Sequence, residues 1–243
     1  MESARSALVI KSTGSWYTLR DDASGQTVTC RIRGNLRLKG SRTTNPVVVG
    51  DRVEYEQPEG ATGVVTKILP RRNYIIRRAS NLSKESHIIA ANVDQAFLVV
   101  SLFLPSTNCE FIDRFLVTAE AYRIPVTLLL NKCDLYATDA LQDAQTEFLK
   151  IYRSAGYEVI ELSATQQTGI DAFKKMLPGK TSLLSGNSGV GKSTLIKIIV
   201  GEEQPDTGFI RYGSNVDIGY YDQHQSTLHA DKTALDEIWD RFP

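Results

Sequence analysis

Thr181-Ser182-Leu183-Leu184-Ser185-Gly186-Asn187-Ser188-Gly189-Val190-Gly191-Lys192-Ser193-Thr194 is the stretch that decides the fold. Residues 181–185 have the composition of a buried strand, and 193–200 that of a helix. Between them lies Gly-x-x-x-x-Gly-Lys-Ser, and a strand, a glycine-rich turn and a helix are the setting in which this pattern cradles phosphate. Glycines allow consecutive backbone N–H groups to turn inward on phosphate oxygens. Lys192 is predicted to reach the β- and γ-phosphates and the Ser193 hydroxyl to ligate Mg²⁺. The helix N-terminus adds its partial positive charge at the same place. Gly186, Asn187, Ser188, Gly189, Val190, Gly191, Lys192, Ser193 and Thr194 are therefore the expected phosphate-binding residues.

Some fifty residues earlier, Asn131-Lys132-Cys133-Asp134 ends the apolar run at 125–130. A carboxylate at Asp134 can accept both N–H donors on the Watson–Crick edge of guanine, whereas adenine presents a mismatched edge. Leaving such a carboxylate desolvated and unpaired is costly, so selectivity follows. Ser163-Ala164 closes the next strand and is expected to support the base through a backbone N–H. Three such motifs in strand-end loops predict a site for GTP and GDP. Their order is inverted relative to an ordinary GTPase, in which the phosphate loop precedes the base reader. The inversion is that of a circular permutation.

The flanking patterns agree. From residue 92 the chain alternates strand and helix: strands at 95–102, 125–130 and 158–162, and helices at 110–122, 140–156 and 170–176. This alternation implies a mostly parallel sheet with helices on both faces. Residues 1–72 instead show short runs of β-formers at 16–19, 27–32, 52–55 and 63–69, separated by Gly, Asp, Pro and Asn. Several short strands in so small a segment predict a barrel, with the OB-fold as the leading candidate. Arg31, Arg33, Arg37, Lys39 and Arg42 crowd one inter-strand segment and are the expected RNA contacts. Trp16, Tyr17 and Tyr55 offer stacking surfaces, although aromatics in a small barrel are more often core. Residues 73–91 are expected to connect the two parts.

The net charge of zero hides a gradient: residues 1–80, 81–194 and 195–243 carry +7, −2 and −5. A basic first third suits a polyanion, nucleic acid above all. Cys30, Cys109 and Cys133 form no C-x-x-C pair and have no His at ligand spacing, so neither a disulfide framework nor a zinc site is expected, and a reducing cytoplasm is. The apolar stretch at 7–10 is too short for a signal peptide. The longest apolar run, 96–104, is broken by Ser101 and falls far short of a membrane span.

Residues 1 to about 196 resemble the ribosome small subunit-dependent GTPase A family, an OB-fold followed by a permuted GTPase domain. The likeness rests on Arg33-Gly34, Asn45-Pro46, Val49-Gly50-Asp51-Arg52-Val53, Pro70-Arg71-Arg72-Asn73, Ala91-Asn92-Val93-Asp94-Gln95, Ile112-Asp113-Arg114-Phe115-Leu116, Asn131-Lys132-Cys133-Asp134 and the phosphate loop. It implies a monomeric factor in late maturation of the small ribosomal subunit. Such a factor binds ribosomal RNA partly through its barrel, and the subunit stimulates its GTP hydrolysis. Past Ser193 a family member should continue with a switch loop carrying Thr, an Asp-x-x-Gly segment and a small zinc domain. Residues 197–208 and 218–224 instead resemble the stretch after the phosphate loop in ABC-type ATPases of the F subfamily. There Gln223 matches a glutamine that contacts Mg²⁺ and water, and Asp222 is a weaker metal candidate.

The expected architecture is thus an all-β OB-fold barrel (1–72), a connector (73–91), a circularly permuted and incomplete α/β P-loop GTPase domain (92–196) and an ABC-like tail (197–243). The expected function is GTP binding, with hydrolysis doubtful because no second metal carboxylate or water-positioning residue is assured. The same residues leave two rival functions: a non-catalytic RNA-binding protein with a vestigial nucleotide site, and an ATP-binding fragment governed by the tail.

Overall fold

The computed structural model describes residues 4–32, 46–58, 62–78 and 86–200. Five strands come first: β1 (Arg5–Thr13), β2 (Trp16–Asp21), β3 (Thr27–Ile32), β4 (Arg52–Glu56) and β5 (Gly63–Ile68). They close into a barrel in the order β1-β2-β3-β5-β4, which leaves no strand edge unpaired. Alternation sets the interior: in β2 Tyr17, Leu19 and Asp21 point inward, and Val9, Cys30, Val53, Tyr55 and Val65 meet them from the other strands. Tyr17 and Tyr55 are therefore core residues and offer no stacking surface. The sequence pattern did not mark β1 as a strand. Only its middle is apolar, yet Ala7 and Val9 turn inward and the strand pairs with both β2 and β4, which closes the barrel.

One buried carboxylate ties the barrel together. Asp21 accepts the Ser24 N–H at 2.7 Å, the Ser24 hydroxyl at 2.8 Å, the Ala23 N–H at 3.1 Å and the Tyr55 hydroxyl at 2.8 Å. These donors, the Ser24 N–H foremost, hold its carboxyl down at about 2, below the ordinary 3.8. A depressed folded-state value gives stability that is present above 3.8 and is lost as pH falls toward about 2. Urea midpoints measured between pH 6 and 2 should fall steeply over that window. In Asp21→Asn they should start lower and fall less. Parallel curves for the two proteins would show that Asp21 does not carry the acid sensitivity.

The barrel is clamped to the chain that leaves it. Arg71 makes a two-pronged pair with Asp51, Nε to Oδ1 at 2.7 Å and Nη2 to Oδ2 at 2.8 Å, and also donates to the Pro46 carbonyl at 2.9 Å. Asp51 is fully buried and also takes the Val48 N–H at 2.9 Å, so the burial is matched by hydrogen bonds on both oxygens. Beside it, Gly50 (φ +89°) lies so close to the chain that a Cβ would come 1.9 Å from the Ala91 carbonyl oxygen. Ala91 N–H donates to the Val49 carbonyl at 2.9 Å, and the Asn92 side chain donates to the Gly50 carbonyl at 2.9 Å. The expected connector is itself structured where it is described: β6 (Tyr74–Arg78) and β7 (Ser86–Ala91) pair antiparallel as a hairpin.

Beyond the hairpin the described residues form a four-stranded sheet, built from β8 (Gln95–Val100), β9 (Val126–Leu130), β10 (Glu158–Glu161) and β11 (Ser182–Gly186) in the order β10-β9-β8-β11. All its pairings are parallel. Every residue of β8 is buried, as a central strand covered on both faces requires. Its alternation splits the core in two. Phe97 and Val99 pack under α3 (Ile170–Lys175) and α4 (Lys192–Val200), with Phe97 edge-on to Phe173 at 4.8 Å. Leu98 and Val100 pack under α1 (Cys109–Ala121) and α2 (Asp139–Ser154). Asn108 and Thr138 cap the starts of α1 and α2.

Candidate nucleotide site

Parallel strands put all four C-terminal ends on one edge of the sheet, which is where open α/β sheets bind ligands. The loops leaving that edge start at Ser101, Asn131, Leu162 and Asn187, so both sequence motifs and Ser163-Ala164 gather there.

Asn131 joins them. It is 1% exposed. Its side-chain amide donates to the Val190 carbonyl of the phosphate loop at 2.9 Å and its Oδ1 accepts the Ala164 N–H at 3.3 Å. Its own N–H donates to the Val100 carbonyl at 2.8 Å. Three segments far apart in sequence are thus held by one residue. The approach is close enough that only glycine fits opposite: at Gly191 (φ +96°) a Cβ would come 2.3 Å from Asn131 Nδ2.

The rest of the tetrapeptide is arranged around that anchor. Lys132 takes a left-handed conformation, φ 64° and ψ 31°, and its ammonium donates to the Leu104 carbonyl. Cys133 N–H donates to the Leu162 carbonyl at 3.0 Å and its thiol to the Leu130 carbonyl at 3.1 Å. Burial pushes that thiol up to about 11, so it stays protonated and unreactive at neutral pH. Asp134 lies in the 3-10 turn Cys133–Leu135 and is approached by the Thr165 hydroxyl at 3.5 Å. Ser163 is buried. Its hydroxyl accepts the Gln166 N–H and lies against the Thr165 hydroxyl, both at 3.1 Å, which fixes the turn after β10.

On the other side of the site, Lys192 folds back over the phosphate loop. Its ammonium donates to the Gly186 carbonyl at 2.6 Å and to the Asn187 carbonyl. Burial pulls its pKa below the usual lysine value. The Ser193 hydroxyl lies in the first turn of α4, where the residue is exposed, and α4 begins as the Leu195 N–H closes on the Gly191 carbonyl at 3.0 Å. Such an oxygen suits Mg²⁺, which takes few protein ligands and completes its shell with phosphate oxygens and water. Among the described residues no three His, Cys, Asp or Glu side chains gather as a metal cluster.

Some expected site residues fall elsewhere. Arg33, Arg37, Lys39, Arg42, Asp222 and Gln223 lie outside the described residues. Arg31 is exposed near the end of β3 with its guanidinium 3.9 Å above the Trp16 ring, a cation on an aromatic face. Two parts of the site were not expected from sequence. Thr165 directly follows Ser163-Ala164 and was within reach of pattern reasoning. The Leu104 carbonyl was not, because a backbone acceptor leaves no mark in the sequence. No described helix is long and apolar enough to cross a membrane.

Known proteins resemble this chain. The model of the RsgA N-terminal domain matches residues 7–65, and that of the RsgA GTPase matches residues 68–217. The second match runs past residue 197, where the sequence suggested a change to an ABC-type tail, and that change of family finds no support. The chain is 53% identical over 203 residues to the small ribosomal subunit biogenesis GTPase RsgA 2 of Bacteroides thetaiotaomicron. It is 52% identical over 203 residues to the small ribosomal subunit biogenesis GTPase RsgA of Phocaeicola vulgatus. Each alignment covers 84% of this chain, and the chain spans 65% of the length of either relative. Among solved structures it is similar to YjeQ from Thermotoga maritima, with a TM-score of 0.66, 36% identity, and coverage of 80% of this chain and 64% of that one. It is also similar to YloQ, described as a circularly permuted GTPase, with a TM-score of 0.64, 30% identity, and coverage of 83% and 66%.

Proposed function

Since the chain belongs to the RsgA GTPase family, we propose that the gathered loops bind GTP and GDP. In this reading Asp134 reads the base, with Asn131, Lys132, Cys133, Ser163 and Ala164 shaping its pocket. Gly186 to Thr194 cradle the phosphates, Lys192 neutralises them and Ser193 holds Mg²⁺. The observation that carries the reading is the Asn131 side chain, hydrogen-bonded at once to the phosphate loop and to Ala164. A purely structural sheet has no need to fasten those two loops together.

The relatives are named for biogenesis of the small ribosomal subunit. By the same reading this chain acts on that subunit as a cytoplasmic, monomeric GTPase that the subunit stimulates. The barrel within 1–72 meets ribosomal RNA through Arg31, Arg33, Arg37, Lys39 and Arg42, residues 73–91 connect it, and 92–196 carry the nucleotide. Turnover requires, besides Ser193, a carboxylate that helps hold Mg²⁺ and a residue that positions water.

Binding of labelled GDP, challenged with GTP and with ATP, tests the reading. Displacement by GTP and not by ATP is the expected result. Equal displacement by both would overturn the guanine assignment. A chain that binds RNA in a salt-sensitive way but does not bind GDP would be an RNA-binding protein with a vestigial site.

A further inference from the structure

The loop between β8 and α1, residues 101–108, belongs to neither nucleotide motif, yet it touches both. The ammonium of Lys132 lies on its Leu104 carbonyl. Its Pro105 ring packs over the phosphate loop so closely that a Cβ at Gly189 would come 3.2 Å from Pro105 Cδ. Leu104 itself sits at φ +50°, a conformation an L residue keeps only where its surroundings enforce it, and such residues cluster at ligand clamps.

A buried hydroxyl anchors the start of this loop. Tyr136 is 4% exposed. Its phenol oxygen accepts the Leu102 N–H at 2.9 Å and donates to the Asn131 carbonyl at 2.8 Å. The same oxygen lies 3.4 Å from the Ser101 hydroxyl, which donates to the Phe103 carbonyl at 2.7 Å. Thr107 closes the loop at its base: its N–H donates to the Ser101 carbonyl at 2.7 Å and its hydroxyl accepts the Ser101 N–H at 3.0 Å. The phenol therefore couples the backbone of the base-reading tetrapeptide to the backbone of this loop. The loop in turn reaches Lys132 on one side and Gly189 on the other.

We propose that residues 101–108 form a strap that sets the guanine reader against the phosphate loop, and that Tyr136 is the positioning residue that anchors it. Tyr136 does not touch the nucleotide. It acts through the Asn131 backbone and the Leu104 carbonyl, which fix where Lys132 and Asp134 point. Phenylalanine would keep the ring in place but leave the Leu102 N–H and the Asn131 carbonyl without their partner in a buried setting, where an unmade hydrogen bond costs most.

The proposal rests on the guanine-site reading above, and its test separates the two. Labelled GDP is titrated into the full chain and into Tyr136→Phe, and each complex is challenged with inorganic pyrophosphate, which engages the phosphate loop alone. Tyr136→Phe should bind GDP roughly ten-fold more weakly, while its inhibition constant for pyrophosphate stays that of the parent chain. A loss shared equally by GDP and pyrophosphate would make Tyr136 merely structural and overturn the proposal, as would unchanged GDP binding. Failure of the parent chain to bind GDP would instead bring down the guanine-site reading. If Tyr136→Phe does not fold, Ser101→Ala loosens the same strap while keeping the phenol's bonds to Leu102 and Asn131, and should give the same split. Equal binding by that variant overturns the strap.

Discussion

Asp134→Asn is expected to weaken GDP binding at least 100-fold while leaving the fold intact. Two charge-assisted hydrogen bonds to guanine are lost, and at about 1.5–3 kcal/mol each they amount to about 3 kcal/mol or more. The loss should be confined to the base, because among the described residues the side-chain partner of Asp134 is the Thr165 hydroxyl at a long 3.5 Å. The amide also makes a positive prediction. Asparagine offers one acceptor and one donor in place of two acceptors. It therefore matches an edge on which the 2-amino group of guanine is replaced by a carbonyl, as in xanthine. Competition of xanthosine diphosphate against labelled GDP should shift strongly in favour of xanthine in the variant. If the parent chain and Asp134→Asn discriminate guanine equally, Asp134 is not the base reader.

Lys192→Ala should have an effect of the same order by a different route. The ammonium now lies on the Gly186 and Asn187 carbonyls, inside the turn that would receive the phosphates. Burial disfavours its charge, and a bound diphosphate offsets that cost. Removing two charge-assisted contacts to phosphate is worth about 4 kcal/mol, roughly a thousandfold in GDP affinity. Lys192→Arg should recover little, because a planar fork cannot take the place of a compact ammonium inside a tight turn. The loop is partly exposed and water can satisfy the freed carbonyls, so the urea midpoint should move little. Calorimetric titration with GDP beside a urea melt checks both halves. Near-parental binding by Lys192→Ala would mean that the phosphates lie elsewhere.

How much of this was legible in the sequence depended on the kind of signal. The parallel sheet was readable because its strands are short, mostly apolar runs ending in loops with chemical motifs, and each predicted element from 95 to 200 falls within a few residues of an observed one. The motifs that the fold gathers at one edge of the sheet were equally readable, since glycine, lysine and aspartate at fixed spacing have few other uses. The barrel was legible as a class, but β1 was not: its inward residues, Ala7 and Val9, sit among serines, arginine and lysine, and only pairing on both sides makes it a strand. The hairpin β6–β7 was hidden for a related reason, because residues 73–91 carry polar residues that resemble a linker. Tyr136 and the Leu104 carbonyl were beyond reach altogether. Their roles are set by which backbone groups the fold leaves in need of a partner, and no spacing rule encodes that.

The late place of β11 in the chain also governs how the protein is made. Among the described strands it is the last synthesised, and its partner β8 lies 87 positions earlier at the Gln95–Ser182 contact. Such a long-range parallel pairing is a slow step in folding, since most of the intervening chain must be ordered before it is rewarded. Strands β8, β9 and β10, with Asn131 to Asp134, can assemble while residues 186–194 are still being added. On the proposed reading of the site, the capacity to hold a nucleotide therefore arrives late, and guanine nucleotide would select chains in which β11 has paired with β8.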